Sequence, residues 1–384
     1  MTARRLGALL GPLAVVLLAA ASGAFDAASA LFPLDLSTLG AAADTLLSEQ
    51  WRSTFSSPDV QVGPLHLLLL GSLRGLARSL DLAHRLVFSV AVQTGVAAAA
   101  MVTARRVVGR RRPLIECAVG VATIFGGVGW TAYISGHPEE LFIGLLWIWS
   151  GTYARQDRGI EAGLLVGLAA ALKLTGVLGL PLLLLLPSTR DRVRAALVAC
   201  VTGVVVYGPF LAFGPVRTFS YRWPVDNALW GRLIDGSAGF PWALRVLQGA
   251  LVVAVGSFAA LRLRRSSDAT WAAVLVLAAV RFLSDPQPHH YFWLPFEAAA
   301  VVGAASIAAA SIPWRSALAA ACAYGAMTAR YLTPLPGLAS RLALGAILVV
   351  MSRSGSGSDD SLDPAPPGGL GPRRSETLVG GPSV

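Results

Sequence analysis

The sequence has little charge and little cysteine, and each shortage excludes a class of protein. Only 14% of the 384 residues are charged while 55% are hydrophobic, and the mean hydropathy is +0.63. Soluble domains carry about a quarter of their residues as charges, so the composition predicts an all-α, polytopic transmembrane bundle. The three cysteines, Cys117, Cys200 and Cys322, lie in apolar stretches without paired spacing. Neither a disulfide framework nor a zinc site is expected from them. The chain also lacks a nucleotide-binding loop, a metal-ligand cluster, a soluble catalytic domain and an internal repeat. The net charge of +10 comes mostly from arginine clusters flanking apolar runs. Cytoplasmic loops collect such residues, so the charge argues for orientation in a membrane and against a nucleic-acid partner.

What is present is a series of apolar runs near the length needed to cross a bilayer as helix. They fall at 6–25, 86–104, 114–136, 141–154, 195–214, 242–261, 270–284, 291–310, 317–331 and 342–351. With shorter or re-entrant pieces the total is about 10–12 membrane segments. Residues 1–30 have the look of a cleavable signal peptide, but an uncleaved first helix with a cytoplasmic N-terminus fits a chain that is membrane-embedded throughout. Residues 1–351 form one integral membrane domain, with 26–62 as its first outer loop. Residues 352–384, rich in Ser, Gly, Pro and charge, read as a disordered cytoplasmic tail. The run at 162–187 has cytoplasmic charge at both ends and contains Lys173, Gly176 and Pro181. It therefore reads as two short helices meeting near Lys173. Counting 63–80 as a crossing would invert everything downstream, so it is expected to be re-entrant or interfacial.

This topology puts Asp35, His137, Glu139, Glu140, Lys173, His289 and His290 on one face, the outer one. Ionisable groups at a membrane edge are functional candidates. A Lys, two adjacent His and nearby Arg281 can hold a phosphate and stabilise charge as it leaves, while a carboxylate opposite takes the proton of an incoming hydroxyl. That combination describes glycosyl transfer from a polyprenyl phosphate sugar to a lipid or glycan acceptor. A divalent cation between Asp35 and Glu139 or Glu140 is chemically conceivable, but no spacing compels one, and no cofactor is expected.

Four segments resemble glycosyltransferase family 87 of the GT-C superfamily. Asp35-Leu36-Ser37-Thr38-Leu39 followed by Gln61-Val62-Gly63-Pro64-Leu65 is similar to its first outer loop, which implies that Asp35 is the catalytic base. Gly136-His137-Pro138-Glu139-Glu140 resembles a short outer turn in which an amide is more usual. The small-residue run 163–172 ending in Lys173, and Pro288-His289-His290-Tyr291-Phe292-Trp293, resemble the segments around the donor phosphate. The resemblance implies a GT-C-like, inverting, polyprenyl-phosphate-mannose-dependent enzyme in the cell membrane. On it, Lys173, His289, His290 and Arg281 bind the donor phosphate, and His137, Glu139, Glu140, Gln61 and Tyr291 contact substrate.

Blander readings stand beside these. Asp35 is well placed to cap a helix over 36–47, Lys173 to snorkel to the interface, and Glu139 and Glu140 to favour a helix dipole. Asp26, Asp44 and Asp59 compete with Asp35 as base. Trp223, Trp230 and Trp242 suit either a sugar platform or an interfacial belt. Broken helices near polar groups also mark transporters, so a multi-pass transporter or lipid flippase remains the alternative.

Overall fold

The computed structural model describes residues 3–29, 33, 35–109, 112–225, 239–266, 268–287, 289–310, 313–329, 332 and 334–353. Trp230, Pro288 and the tail from residue 354 onward, all used above, lie outside the described residues. Helices follow the apolar runs closely. They are α1 (Ala3–Ala28), α2 (Leu36–Leu46), α3 (Pro64–Ser79), α4 (His84–Val108), α5 (Pro113–Phe125), α6 (Val128–Ser135) and α7 (Pro138–Arg155). Then come α8 (Gly159–Leu172), a 3-10 helix (Leu174–Leu185), α9 (Thr189–Phe213), α10 (Trp242–Leu263), α11 (Ala269–Leu283), α12 (Leu294–Ala310), α13 (Pro313–Thr328) and α14 (Pro334–Arg353). No β-strand occurs among the described residues; Trp223 and Phe240 form an isolated antiparallel bridge. Five helices are long and apolar enough to cross a membrane, or six if the bent pair α5 and α6 counts as one span.

Local chemistry sets the boundaries. Prolines open α3, α5 and α7, where the missing N–H costs nothing and the fixed φ suits the first turn. Gly109 ends α4 in the left-handed region at φ 71°, as helix C-termini prefer. The run at 114–136, expected as one crossing, is a bent pair of helices, α5 and α6, with an angle of 45° between them, and together they pass as one broken span. Gly127 sits there at φ 70°, a conformation that only glycine adopts without strain. Because the helix stops and restarts at a Gly-Gly pair, an unbroken apolar run did not mean an unbroken helix.

The helix α12 is the hub, buried along most of its length and packed against α4, α7, α11 and α13. Its alanines and Gly303 let neighbours approach closely, since small residues bring helix backbones together in a bilayer. A Cβ on Gly144 of α7 would stand 2.6 Å from Pro295 Cα, and one on Gly303 would meet the Trp271 ring at a similar distance. At the periphery α9 exposes Val193, Leu197, Val201, Val204 and Leu211, the mark of a helix that meets lipid. The 16-residue α3 is too short to be among the candidate spans and lies against α2, α4, α8 and α9.

Candidate functional site

The first turn of α7, the end of α8 and the end of α11 converge at one end of the bundle. At the α7 start, His137 precedes Pro138, and Glu139 and Glu140 follow it, both completely buried. Carboxylates in that position must be paired, and they are. Glu140 receives two bonds from Arg281, at 2.5 Å from Nη1 and 2.8 Å from Nη2. Lys173 Nζ lies 2.8 Å from Glu140 Oε1 and 3.3 Å from Glu139 Oε1. Lys173 itself has extended backbone between α8 and the 3-10 helix, φ −161° and ψ 139°. The break expected at this residue is present, and it turns the side chain into the carboxylate pair instead of out to the interface. Lys173 is also the sole lysine in the sequence.

Asp35 joins this cluster through His137. It occupies the N-cap position of α2 but makes no side-chain capping bond; its Oδ2 lies 2.8 Å from His137 Nε2. The other ring nitrogen, Nδ1, lies 2.7 Å from Glu139 Oε1. One imidazole thus bridges two carboxylates, and the chain Asp35–His137–Glu139–Lys173–Glu140–Arg281 is continuous. The His137 hydrogen bond holds the Asp35 carboxyl below its usual range, outweighing partial burial. Burial works against a charged His137, yet the facing carboxylates raise its pKa above the ordinary histidine value. Asp35 is half-exposed, its side chain 51% accessible, so it is the member of the chain that a substrate can reach.

Aromatic residues roof the cluster. Tyr291 packs on the His137 ring at 4.3 Å, and His289 stacks on Tyr291 at 5.1 Å. Lys173 Nζ lies 5.4 Å from the Tyr291 ring and 5.6 Å from that of Phe292, within cation–π range. Burial pushes the His289 pKa down, so this ring is neutral near pH 7 and offers hydrogen bonds in place of charge. His290 opens the 3-10 turn His290–Trp293 and is exposed.

Of the ten site residues expected from sequence, seven form one contiguous assembly by these contacts: Asp35, His137, Glu139, Glu140, Lys173, Arg281 and Tyr291. His289 joins them through Tyr291. Gln61 does not; its amide donates to the carbonyls of Pro58 at 2.6 Å and Thr218 at 3.1 Å, tying the first loop to the loop after α9. Asp44, a competitor for the role of base, is engaged by Arg74 at 2.7 Å and Arg78 at 3.2 Å. Asp26 is buried and accepts from Gln93. Among the described residues no group of three or more His, Cys, Asp or Glu side chains is arranged to hold a metal ion. His66 was not foreseen. It is buried on α3 with Nδ1 3.5 Å from Glu139 Oε2, and the signal for it was a lone imidazole in an otherwise apolar helix face.

The sequence model of glycosyltransferase family 87 matches residues 62–286, more than half of the chain. The chain belongs to glycosyltransferase family 87. No curated protein and no solved structure matches it. As a family 87 member the chain is a membrane glycosyltransferase, which decides against the transporter reading. The matched stretch contains His66, His137, Glu139, Glu140, Lys173 and Arg281, whereas Asp35, His289 and Tyr291 lie outside it.

Proposed function

We propose that this glycosyltransferase moves a hexose, mannose first among candidates, from a polyprenyl phosphate sugar to a lipid or glycan hydroxyl, with inversion at the anomeric carbon. The observation that carries the reading is the half-exposed Asp35 carboxylate, held by His137 at the rim of a buried carboxylate–cation cluster. Asp35 accepts the acceptor's hydroxyl proton as the new oxygen–carbon bond forms. The bond from the anomeric carbon to the phosphate oxygen breaks on the opposite face, and the polyprenyl phosphate leaves with the electron pair. His137 orients Asp35 and remains paired with Glu139 throughout. Lys173 is already neutralised by Glu139 and Glu140, so its role is to present a remaining N–H together with the neutral His289, in a site where fixed dipoles are worth more than in water.

Support for an outward-facing site comes from the opposite end of the molecule. There Arg106 bonds the Tyr153 hydroxyl, Arg155 bonds the Ser266 carbonyl, and Arg264 reaches the Pro187 carbonyl at 3.1 Å. These contacts join the ends of α4, α7 and α10 into an arginine collar. Under the positive-inside rule the collar is cytoplasmic and Asp35 faces outward, which suits a lipid-linked donor over a nucleotide sugar.

The test is transfer of radiolabelled mannose from polyprenyl phosphate mannose into membrane lipids, wild type against Asp35→Asn at matched expression. General base catalysis supplies about a hundredfold or more, so a loss of that order with donor binding retained is expected. Near-normal turnover in Asp35→Asn would remove Asp35 from the mechanism.

A further inference from the structure

A cleft of about 420 Å³ opens at the collar end, between the C-terminal turns of α4 and α7. Its walls are Trp149 and Tyr153, its rim carries Arg105, Arg106 and Gln156, and among the described residues no carboxylate lines it. Arg106 is held by two side chains: it bonds the Tyr153 hydroxyl and lies 4.7 Å over the Trp149 ring and 5.4 Å over that of Tyr153. The indole is fixed in turn by its N–H bond to Thr103 Oγ1 at 2.6 Å. Arg105 is exposed and has no hydrogen bond or ion pair among the described residues.

Arginines at helix C-termini complement the dipole, and that alone explains the general charge of this end. It does not explain the cleft. Other arginines here are taken up by the protein: Arg155 by Ser266, Arg158 by Glu161, Arg192 by the Leu186 carbonyl and Arg264 by Pro187. Around the cleft, by contrast, one guanidinium is pre-oriented against aromatic walls and a second has no partner among the described residues, which supply no anion there. Guanidinium groups in such a setting match phosphate oxygens. Val102, one turn before the arginines, lines the same cleft and is exposed. The cleft is therefore apolar toward the bundle's middle and cationic at its end.

We propose that this cleft binds the headgroup of an anionic phospholipid, its phosphate on Arg105 and Arg106, its glycerol edge against Trp149 and its acyl start along Val102. The inference is independent of the sugar donor and of the transfer reaction. A free phosphate shares the arginine chemistry but leaves the apolar wall unused.

The full-length protein in neutral detergent, titrated with phosphatidylglycerol and followed by native mass spectrometry, provides the test. Losing one basic side chain near an anionic headgroup weakens binding about fivefold, so Arg105→Gln is expected to raise the half-saturating lipid concentration by that factor. Because Arg105 is exposed and unpartnered, misfolding does not enter the comparison. Arg190→Gln, at an exposed arginine of the same end, is expected to leave binding unchanged. Equal weakening by both variants would overturn the proposal in favour of diffuse surface charge. Displacement of the lipid by millimolar inorganic phosphate would overturn it in favour of a free-anion site, and equal binding of phosphatidylcholine would reduce the cleft to an apolar groove.

Discussion

His137 is the residue on which the candidate site turns, because both of its nitrogens are committed to carboxylates. In the proposed mechanism Asp35 must be ionised to serve as base, and the hydrogen bond from His137 favours the ionised form to lower pH than for an ordinary carboxyl. Removing that donor raises the Asp35 pKa toward its usual value, so the acid limb of the pH–rate profile moves to higher pH. His137→Phe keeps a ring against Tyr291 and removes both bonds; an unshifted acid limb in this variant would sever the link between the two residues. The Glu140–Arg281 pair makes a different prediction. Truncating one partner of a buried pair costs about 3–5 kcal/mol where the other charge is left alone; Arg281 loses its carboxylate in Glu140→Gln, whereas in Arg281→Met the Lys173 contact of Glu140 offsets part of the cost. Glu140→Gln should lower the unfolding midpoint steeply in detergent and Arg281→Met less so, and the double variant should recover much of the loss. Additive effects would mean that the two groups are not coupled.

At the scale of elements, the site depends on how closely α3 approaches the end of α8. Gly63 N–H donates to the Leu172 carbonyl at 2.7 Å, and a Cβ on Gly63 would fall 2.1 Å from the Ala171 carbonyl oxygen. Gly63→Ala must push α3 away, taking His66 from Glu139 and disturbing the backbone beside Lys173. A loss of about 1–3 kcal/mol is expected from such overpacking, together with reduced transfer. Gly75→Ala, on the same helix with open space around the new methyl, is the control and should be neutral or gain up to about 1 kcal/mol. Equal behaviour of the two variants in thermal unfolding would refute this view of the α3–α8 contact.

The legibility of the sequence follows the same physics. Long apolar runs mark spans because the bilayer demands them, and a lysine in an apolar run marks a break because burying it alone is costly; both were readable. The turn at Gly126–Gly127 was not, since two glycines inside an apolar run are common in packed helices. Nor was the engagement of Lys173 by Glu139 and Glu140, because pairing across 34 residues is a property of the folded contact. His66 escaped for the same reason: its partner lies on another helix.

For the whole molecule, the reading of opposite ends predicts opposite sides. In a background with Cys117, Cys200 and Cys322 replaced, Asp59→Cys and Gln156→Cys place single exposed thiols beside the site loop and the collar respectively. A membrane-impermeant maleimide applied to intact cells should label the first and reach the second only after permeabilisation. The reverse pattern would turn the molecule over and with it the choice of donor. One wall of the bundle adds a property of its own. The 14 residues of α8 reach about 21 Å at 1.5 Å per residue, and the 12-residue 3-10 helix reaches about 24 Å at 2.0 Å per residue. A typical hydrocarbon core is about 30 Å thick, and Leu164, Leu174 and Val177 are exposed along this wall. A flank this short favours a thinner bilayer beside it, since local thinning relieves the mismatch. The enzyme's turnover should accordingly rise in bilayers of shorter acyl chains, making membrane thickness a control on sugar transfer.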